Sequence, residues 1–479
     1  MDTPILLILI LGGTALVIPT INLILKRESQ RKVAALMSIL ALSASLLIIM
    51  YQSVVTPMDL KLSSTVLFRN DLMGLFFAFS VIIVSLFVTI ASIDYIKDQP
   101  NASVYFSLIL FTSLGMSLLS FSVDLLMIAV SWELMSIPTY ILTGFRKQDS
   151  KSNEAAIKYF IMGSLSTGAI LYGISLVYGM TGTTNLFRIV EESGRIANDF
   201  YPMGILAMLL LVAGFGMKMS IVPFHAWIPD AYEGAPTTIS ALLSAGTKKS
   251  AFVIAIRVFV IALPVLQLDW QLTFAILSLL TMTFGNIAAL TQKKITRMLA
   301  YSSIAQAGYM LIGLTVALKS DFGLTGVLFH VFTHAIMQTG AFLAAAVVAK
   351  NIGSVYLDSY KGLGSRMPFT SFTFTVILLA LAGVPPLNGF WSKLVLFTGA
   401  IDGGFTWLAI AGLLNSAFSV GYYAWIIKRM YLDEGEITKV NESSIFKVVL
   451  ISITIIIVIT GIFPGPIYEF ARLAVANLN

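Results

Sequence analysis

The stretch G-F-G-M-K-M-S-I-V-P-F-H, residues 214–225, places a lysine and a proline inside an apolar run. The stretch V-P-P-L-N-G-F-W-S-K-L-V, residues 384–395, repeats the combination with Pro385, Pro386 and Lys393. Proline lacks a backbone donor and interrupts a helix. Helices broken in both halves of a chain are typical of a transport site near the middle of a membrane. We therefore expect an all-α polytopic membrane protein that moves an ion.

Ionisable side chains stand inside two further apolar runs. Glu133 lies in V-S-W-E-L-M-S-I-P, residues 130–138. Lys248 and Lys249 lie in L-L-S-A-G-T-K-K-S-A-F, residues 242–252. A charge at the bilayer centre costs from a few to more than ~10 kcal/mol, so such residues usually mark an ion or proton pathway. Glu133 falls about ten residues into its helix, which is mid-bilayer at about 1.5 Å per residue.

The composition excludes a soluble protein. Hydrophobic residues make up 57% of the 479 positions and charged residues 11%, with a mean hydropathy of +0.90, whereas soluble domains average about 25% charged residues. The chain has no cysteine and three histidines, so it lacks the thiolates of an iron–sulfur cluster or disulfide and has too few imidazoles for most bis-histidine haem sites. We expect no cofactor in this chain, and electron transfer elsewhere.

Runs of roughly 20 apolar residues predict about fourteen transmembrane helices. The predicted spans are 4–25, 32–52, 71–96, 103–121, 123–145, 153–180, 201–222, 235–263, 270–291, 296–318, 322–350, 369–397, 402–431 and 444–464. The runs are continuous rather than alternating, which excludes a β-barrel. Short alternation over 53–70 predicts a small hairpin outside the membrane.

The basic residues predict the orientation. With the amino terminus outside, eighteen of the 30 lysines and arginines fall in inside segments and six in outside segments, and basic loops stay in the cytoplasm. An even number of helices then puts the carboxyl terminus outside too. The net charge of +6 follows from this topology and implies no nucleic-acid partner.

Three short matches in the same order suggest an internal repeat. They pair 157–171 with 329–343, 223–227 with 386–391, and 249–252 with 415–418. Five helices in each copy would make the copies inverted in the membrane, with helices 7 and 12 broken. The predicted units are 1–102 for helices 1–3, 103–263 for the first repeat, 264–431 for the second repeat, and 432–479 for the last helix.

Glu133 and Lys218 predict a proton gate. A buried lysine loses its proton readily, and a neighbouring glutamate holds that proton in place. A pair that opens and closes would therefore release and rebind a proton, and a static ion pair is the alternative. Lys158 is a weaker candidate, because Glu154 stands one turn earlier and an ordinary i,i+4 pair is possible.

Adjacent lysines cannot share one path, since they diverge by about 100° on a helix. We assign Lys248 to the path and expect Lys249 to snorkel or to face a neighbouring subunit, and Arg257 to snorkel at the outer interface. His225 is predicted either to relay protons or to cap the break at Pro223.

His330 and His334 share a helix face. The interpretations are a proton relay or packing. A metal site is not expected, because H-V-F-T-H lacks the glutamate of H-E-x-x-H and no cysteine or carboxylate cluster assists.

At these residues the chain resembles the antiporter-like membrane subunits of respiratory complex I, most of all subunit N, also called subunit 2. The resemblance covers most of the chain and is carried by four motifs. They are S-W-E-L-M-S-I-P-T-Y at 131–140, S-N-E-A-A-I-K-Y-F-I-M-G at 152–163, F-H-A-W-I-P-D-A-Y-E-G-A-P-T-T-I-S at 224–240 and P-P-L-N-G-F-W-S-K at 385–393. The third is highly specific, and the chain is slightly more similar to the methanogen deazaflavin-dependent (coenzyme F-420 type) branch.

The resemblance implies fourteen helices in two inverted five-helix repeats and a charged axis along the membrane. That axis would contain Glu133, Lys218, Lys248 and Lys393, with a contribution from Lys158. It implies a non-redox, proton-pumping subunit of the cell membrane, beside other antiporter-like and small membrane subunits. Flavin and iron–sulfur clusters would lie in partner subunits. The electron donor would be NADH, ferredoxin or reduced deazaflavin, and the acceptor a quinone or methanophenazine.

Two other functions stay open. A subunit of a multisubunit Na⁺/H⁺ antiporter shares the helix pattern but does not predict the E-G-A-P-T-T-I-S context at 233–240. A scaffold that seals a complex without conducting would not need unpaired buried lysines.

Overall fold

A computed structural model describes residues 2–23, 27–55, 67–97, 99–435, 439–476 and 478. This part of the chain is helical, with three isolated β-bridges, Phe68–Ser122, Asp124–Asn185 and Lys294–Tyr356, in its connections. The all-α prediction is confirmed. Most of the hairpin predicted over 53–70 lies outside the described residues.

The α-helices are α1 (Thr3–Leu7), α2 (Gly13–Val17), α3 (Arg27–Val55), α4 (Leu72–Tyr95), α5 (Ala102–Phe121), α6 (Leu125–Thr143), α7 (Ser150–Thr181), α8 (Leu186–Glu191), α9 (Ser193–Asn198), α10 (Tyr201–Met219), α11 (Ile228–Gly234), α12 (Thr237–Leu242), α13 (Lys248–Ala255), α14 (Gln267–Leu290), α15 (Ile295–Thr315), α16 (Asp321–Ile352), α17 (Leu363–Arg366), α18 (Pro368–Ala382), α19 (Asn388–Asp402), α20 (Thr406–Tyr431), α21 (Ser444–Ile462) and α22 (Gly465–Ala476). The π-helical segments are Ile8–Gly12, Leu243–Thr247 and Ile256–Ala262, and the 3₁₀ segments are Ile18–Leu23, Pro264–Leu266 and Leu357–Tyr360.

The described helices are those of a multi-pass membrane protein. Eleven segments are long and apolar enough to cross a membrane, and α18 is a shorter apolar helix. The predicted number of about fourteen is reached only when two further buried segments are counted as spans: the run from α12 through α13 with its two π segments, and the helix α15.

Both predicted helix breaks are present. The helix α10 ends at Met219 and α11 begins at Ile228, while α18 ends at Ala382 and α19 begins at Asn388. A left-handed residue ends the first half of each broken helix: Ser220 has φ 71° and Gly383 has φ 87°. Such a residue turns the chain out of the helix so that following amides cap the last carbonyls, as Val384 N does at 3.0 Å from Leu379 O.

The helix α16 is the centre of the fold. It packs against α4, α15, α18, α19, α21 and α22, and the membrane-spanning window within it is entirely buried by protein. An apolar helix is also stable when it faces lipid, so it is the complete burial of α16 by protein that keeps its polar side chains away from lipid. Its two histidines, His330 and His334, therefore lie inside the bundle, away from lipid.

Arg257 forms a buried ion pair at one end of the bundle. Its guanidinium donates to both carboxylate oxygens of Asp71, at 2.8 and 3.0 Å, and its Nε to the Ser120 carbonyl at 3.0 Å. Asp71 also caps α4 by accepting from Gly74 N at 2.8 Å. Arg257 is fully buried, so the expectation that it snorkels is wrong, because a carboxylate on another helix compensates its charge.

We expect Arg257→Ala to lower the free energy of unfolding by about 3–5 kcal/mol, because the buried Asp71 loses its two short bonds to the guanidinium and keeps only Arg69 as a cationic partner, 3.9 Å away. The measurement is the loss of folded protein on heating the detergent-solubilised complex. The matched control is Arg195→Ala, which removes an exposed arginine 3.7 Å from Glu192 and should change stability little. Equal melting curves for the two variants would contradict a stabilising role for the buried pair.

Candidate functional site

Lys218 lies in an aromatic pocket at the end of α10. Its Nζ donates to the Tyr159 hydroxyl at 2.6 Å and stands 4.6 Å from the ring centre of Tyr159 and 5.2 Å from that of Tyr140. Trp227, which follows the break, stacks on Tyr159 at 4.3 Å. Aromatic faces attract a cation without adding a counter-charge. The pocket therefore holds a buried amine next to a hydroxyl that accepts and donates hydrogen bonds.

Glu133 lies on the neighbouring helix α6 and is half-buried. Its carboxylate accepts a hydrogen bond from Thr167 of α7. Among the described residues, no ion pair within 4.0 Å joins Glu133 to Lys218. The Tyr159 hydroxyl instead connects Lys218 to Thr139 of α6 at 3.1 Å. Glu133 and Lys218 are thus not in direct contact in this structure, and the Tyr159 and Thr139 hydroxyls lie beside the lysine.

Lys158 lies apart from the buried lysines. Its side chain is 45% exposed and pairs with Glu154 at 2.7 Å and Asp230 at 2.8 Å. Arg297 also contacts Asp230, at 2.7 Å. This geometry matches the local-pair interpretation of Lys158. Asp230 was not predicted, although two acidic residues one helical turn apart, Asp230 and Glu233, and the basic segment 293–297 were signals of an ion-pair cluster.

Lys248 and Lys249 point to different helices. Lys248 Nζ donates to the Ser303 hydroxyl at 2.8 Å and to the Ser303 carbonyl at 3.0 Å, on α15. Lys249 Nζ contacts His334 Nδ1 on α16. Lys249 is fully buried, so the expectation that it snorkels or faces a neighbouring subunit is wrong: α16, which carries its partner, is enclosed by other helices. The π segment Leu243–Thr247 directly precedes the two lysines, and π-bulges frequently occur at functional sites.

The two histidines of α16 stack on each other. Their ring centres are 5.7 Å apart with an angle of 5° between the planes. His330 Nδ1 is 2.9 Å from the Ser392 hydroxyl and its Nε2 is 3.0 Å from Gln306 Oε1. An amide oxygen only accepts, so Nε2 of His330 is protonated and donates to Gln306.

Lys393 completes a line of polar contacts. Its Nζ donates to the carbonyls of Leu381 and Ala382 at 3.0 and 3.2 Å, and to Ser416 at 3.0 Å. The last carbonyls of a helix lack partners within it, and the lysine satisfies two of them at the end of α18. Gln306 also donates to Leu381 O, at 3.2 Å. Lys393 and His330 are therefore linked indirectly. Lys393 and Gln306 both donate to the Leu381 carbonyl, and the Gln306 amide oxygen accepts from His330.

His225 lies after the first break, with its ring 4.6 Å from Phe284. Its Nδ1 is buried without a hydrogen-bond partner in the described part. The structure thus brings Lys249, His334, His330 and Lys393 together, whereas His225 stands outside their contacts. Gln306 and Ser303 were missed, although the polar residues of S-S-I-A-Q-A-G-Y, residues 302–309, lie in the middle of a predicted membrane span.

Comparisons with known proteins identify the family of this chain. Residues 122–419 match the family model described as NADH:quinone oxidoreductase/Mrp antiporter, TM. The chain is 41% identical to F(420)H(2) dehydrogenase subunit N of Methanosarcina mazei over 97% of each chain. It is 37% identical to NADH-quinone oxidoreductase subunit N 2 of Chloroherpeton thalassium, over 96% of this chain and 92% of that protein.

A chain of the solved respiratory complex I from Thermus thermophilus with bound aureothin has the same fold. The TM-score is 0.82 at 27% sequence identity, and the alignment covers 97% of this chain and 99% of that one. The family model, the full-length relatives and the fold give one answer: this chain belongs to the family of NADH:quinone oxidoreductase and Mrp antiporter membrane subunits.

Proposed function

We propose that this chain translocates protons as a redox-inactive membrane subunit of a complex I-like oxidoreductase. The observation that carries the proposal is the line of buried basic side chains without carboxylate partners. Lys249 contacts His334, His334 stacks on His330, and His330 reaches Lys393 through Gln306 and the Leu381 carbonyl. Unpaired ionisable groups at membrane depth are costly and are kept where they carry ions.

Lys218 and Glu133 would form the entry gate of this path. When the carboxylate approaches the amine, the pair favours the protonated lysine. When it withdraws to Thr167, as here, the ammonium keeps only hydroxyl and aromatic partners and gives up its proton more easily. The proton would then pass toward Lys248, the histidine pair and Lys393. Lys158 would act at the edge of the path through its pair with Asp230.

The proposed assembly includes other antiporter-like and small membrane subunits in the cell membrane, with both termini of this chain outside. Flavin and iron–sulfur clusters of partner subunits would pass electrons from NADH, ferredoxin or reduced deazaflavin to a quinone or methanophenazine. The relative from Methanosarcina mazei is named an F(420)H(2) dehydrogenase subunit, which supports the deazaflavin donor. Segments 103–263 and 264–431 would be the two inverted repeats, and each contains one broken helix.

The deciding experiment is purification of the native complex, with identification of its subunits and cofactors, followed by reconstitution into proteoliposomes. Oxidation of the donor should acidify one side of the membrane, and a protonophore should abolish that gradient. A gradient that requires Na⁺ and no electron donor would instead support the Na⁺/H⁺ antiporter function contained in the family description. Electron transfer that generates no gradient would support the non-conducting scaffold.

We expect the chain expressed alone to show no visible redox spectrum and no donor oxidation. It has no cysteine to ligate iron–sulfur clusters, and His330 and His334 are occupied by side-chain contacts. Absorption spectra, metal analysis and flavin fluorescence of the purified chain provide the check. Haem, flavin or iron retained at one equivalent per chain would contradict the prediction.

A further inference from the structure

We propose that Lys249 is a proton-carrying residue in its own right, and that its contact with His334 is the step that delivers protons from α13 to the second half of the chain. Lys248, whose amine faces Ser303 of α15, stays the residue that receives protons from the side of Lys218. This inference rests on the proposed pumping function and assigns a role to the second lysine of the K-K pair.

The two lysines contact different helices. Lys248 donates to the hydroxyl and the carbonyl of Ser303, neither of which is a base of the strength of an imidazole. Lys249 instead meets His334 Nδ1, which is a base. In the described part, Lys249 is therefore the lysine of the pair whose amine contacts a side chain with a basic nitrogen.

The surroundings prevent this cluster from being fully charged. The titratable groups facing Lys249 and His334 are Lys248, His330 and Lys393, all basic. No carboxylate of the described residues lies within 4.0 Å of their nitrogens. A buried charge without a partner is costly, and like charges add to that cost. A proton arriving at Lys249 therefore displaces another proton from the cluster, which is what a relay requires.

The transfer itself involves one proton and two nitrogens. A protonated Lys249 breaks an N–H bond, the electron pair stays on Nζ as a neutral amine, and Nδ1 of His334 gains the proton to give an imidazolium. The imidazolium becomes neutral again by giving its Nε2 proton to Nδ1 of His330, the nitrogen of that ring that carries no proton because Nε2 donates to Gln306. In the described part Nε2 of His334 is buried without a hydrogen-bond partner and the two rings are stacked, so this transfer requires one ring to turn.

The test uses conservative variants in the whole complex. Lys249→Arg keeps a cation but a guanidinium does not deprotonate. His334→Asn places an amide oxygen where Nδ1 was, so it still accepts from Lys249 but cannot pass a proton through a ring. Both variants should lose pumping to the level of Lys393→Ala, while the complex assembles. Lys428→Arg, at a lysine that is 61% exposed, is the matched control and should pump normally.

The readout is the number of protons moved per electron pair in proteoliposomes, with assembly followed on native gels. Normal pumping in Lys249→Arg would overturn the inference, because it would show a fixed structural cation. If that variant does not assemble, His334→Asn decides in the same way. Lys218→Ala and Lys393→Ala distinguish a failure of this inference from a failure of the proposed function. If only these two variants lose pumping, the role of Lys249 is wrong and the proposed function stands. If they also pump normally, the proposed function is wrong as well.

Discussion

Lys218→Ala is expected to abolish most donor-driven proton pumping while the complex still assembles. The alanine removes an amine that stands 2.6 Å from the Tyr159 hydroxyl, at the first break of the helix pattern. Assembly should persist because Tyr159 keeps its hydrogen bond to Thr139 and its stacking on Trp227. Without the amine, the half-buried Glu133 has no buried base beside it with which to exchange a proton.

The measurement is proton uptake in proteoliposomes per electron pair, with Glu133→Ala examined in parallel. Both variants should lose most of the gradient, because a gate of one acid and one base fails when either is removed. Electron transfer from the donor should continue at a reduced rate, since no redox centre is expected in this chain. Unchanged proton-to-electron ratios in both variants would rule out the Glu133–Lys218 gate.

The sequence was sufficient for the helices and their breaks. Long apolar runs have one stable arrangement in a bilayer, because every backbone group must be bonded within its own segment. Proline defines where that arrangement stops, so the interruptions around Pro223 and Pro385 were predictable without knowledge of any contact. The two left-handed residues that end α10 and α18, Ser220 and Gly383, were less visible, because only one of them is glycine.

The direction of each charged side chain was not predictable from hydropathy. Lys249 and Arg257 stand in equally apolar surroundings, and both were expected to reach toward the membrane surface or a neighbouring subunit. Their partners, His334 and Asp71, come from segments 85 and 186 residues away. The sequence of a helix shows how apolar the helix is, but it does not show which other helix packs against each of its faces. The polar residues Gln306 and Ser303 of α15 were the available signal of a buried network.

Substitutions of Lys393 distinguish most clearly between a side chain that must release its proton and one that only supplies a fixed charge. Its Nζ donates to two carbonyls at the end of α18 and to Ser416, which is a site that any cation with several donors would satisfy. A lysine and an arginine differ there in one property relevant to pumping: the guanidinium keeps its proton. We therefore expect Lys393→Arg to impair pumping nearly as strongly as Lys393→Ala.

The close packing around Lys393 makes assembly the necessary control. A side chain added at Gly383 would come within 3.3 Å of the lysine stem, so the larger guanidinium has little spare room. Pumping by Lys393→Arg and Lys393→Ala must be compared in complexes assembled to the same level and oxidising donor at the same rate. If arginine then restores the wild-type proton-to-electron ratio, Lys393 is a fixed cation that holds the broken helix. If it does not, the terminal lysine must release its proton in each cycle, toward an exit or a neighbouring subunit.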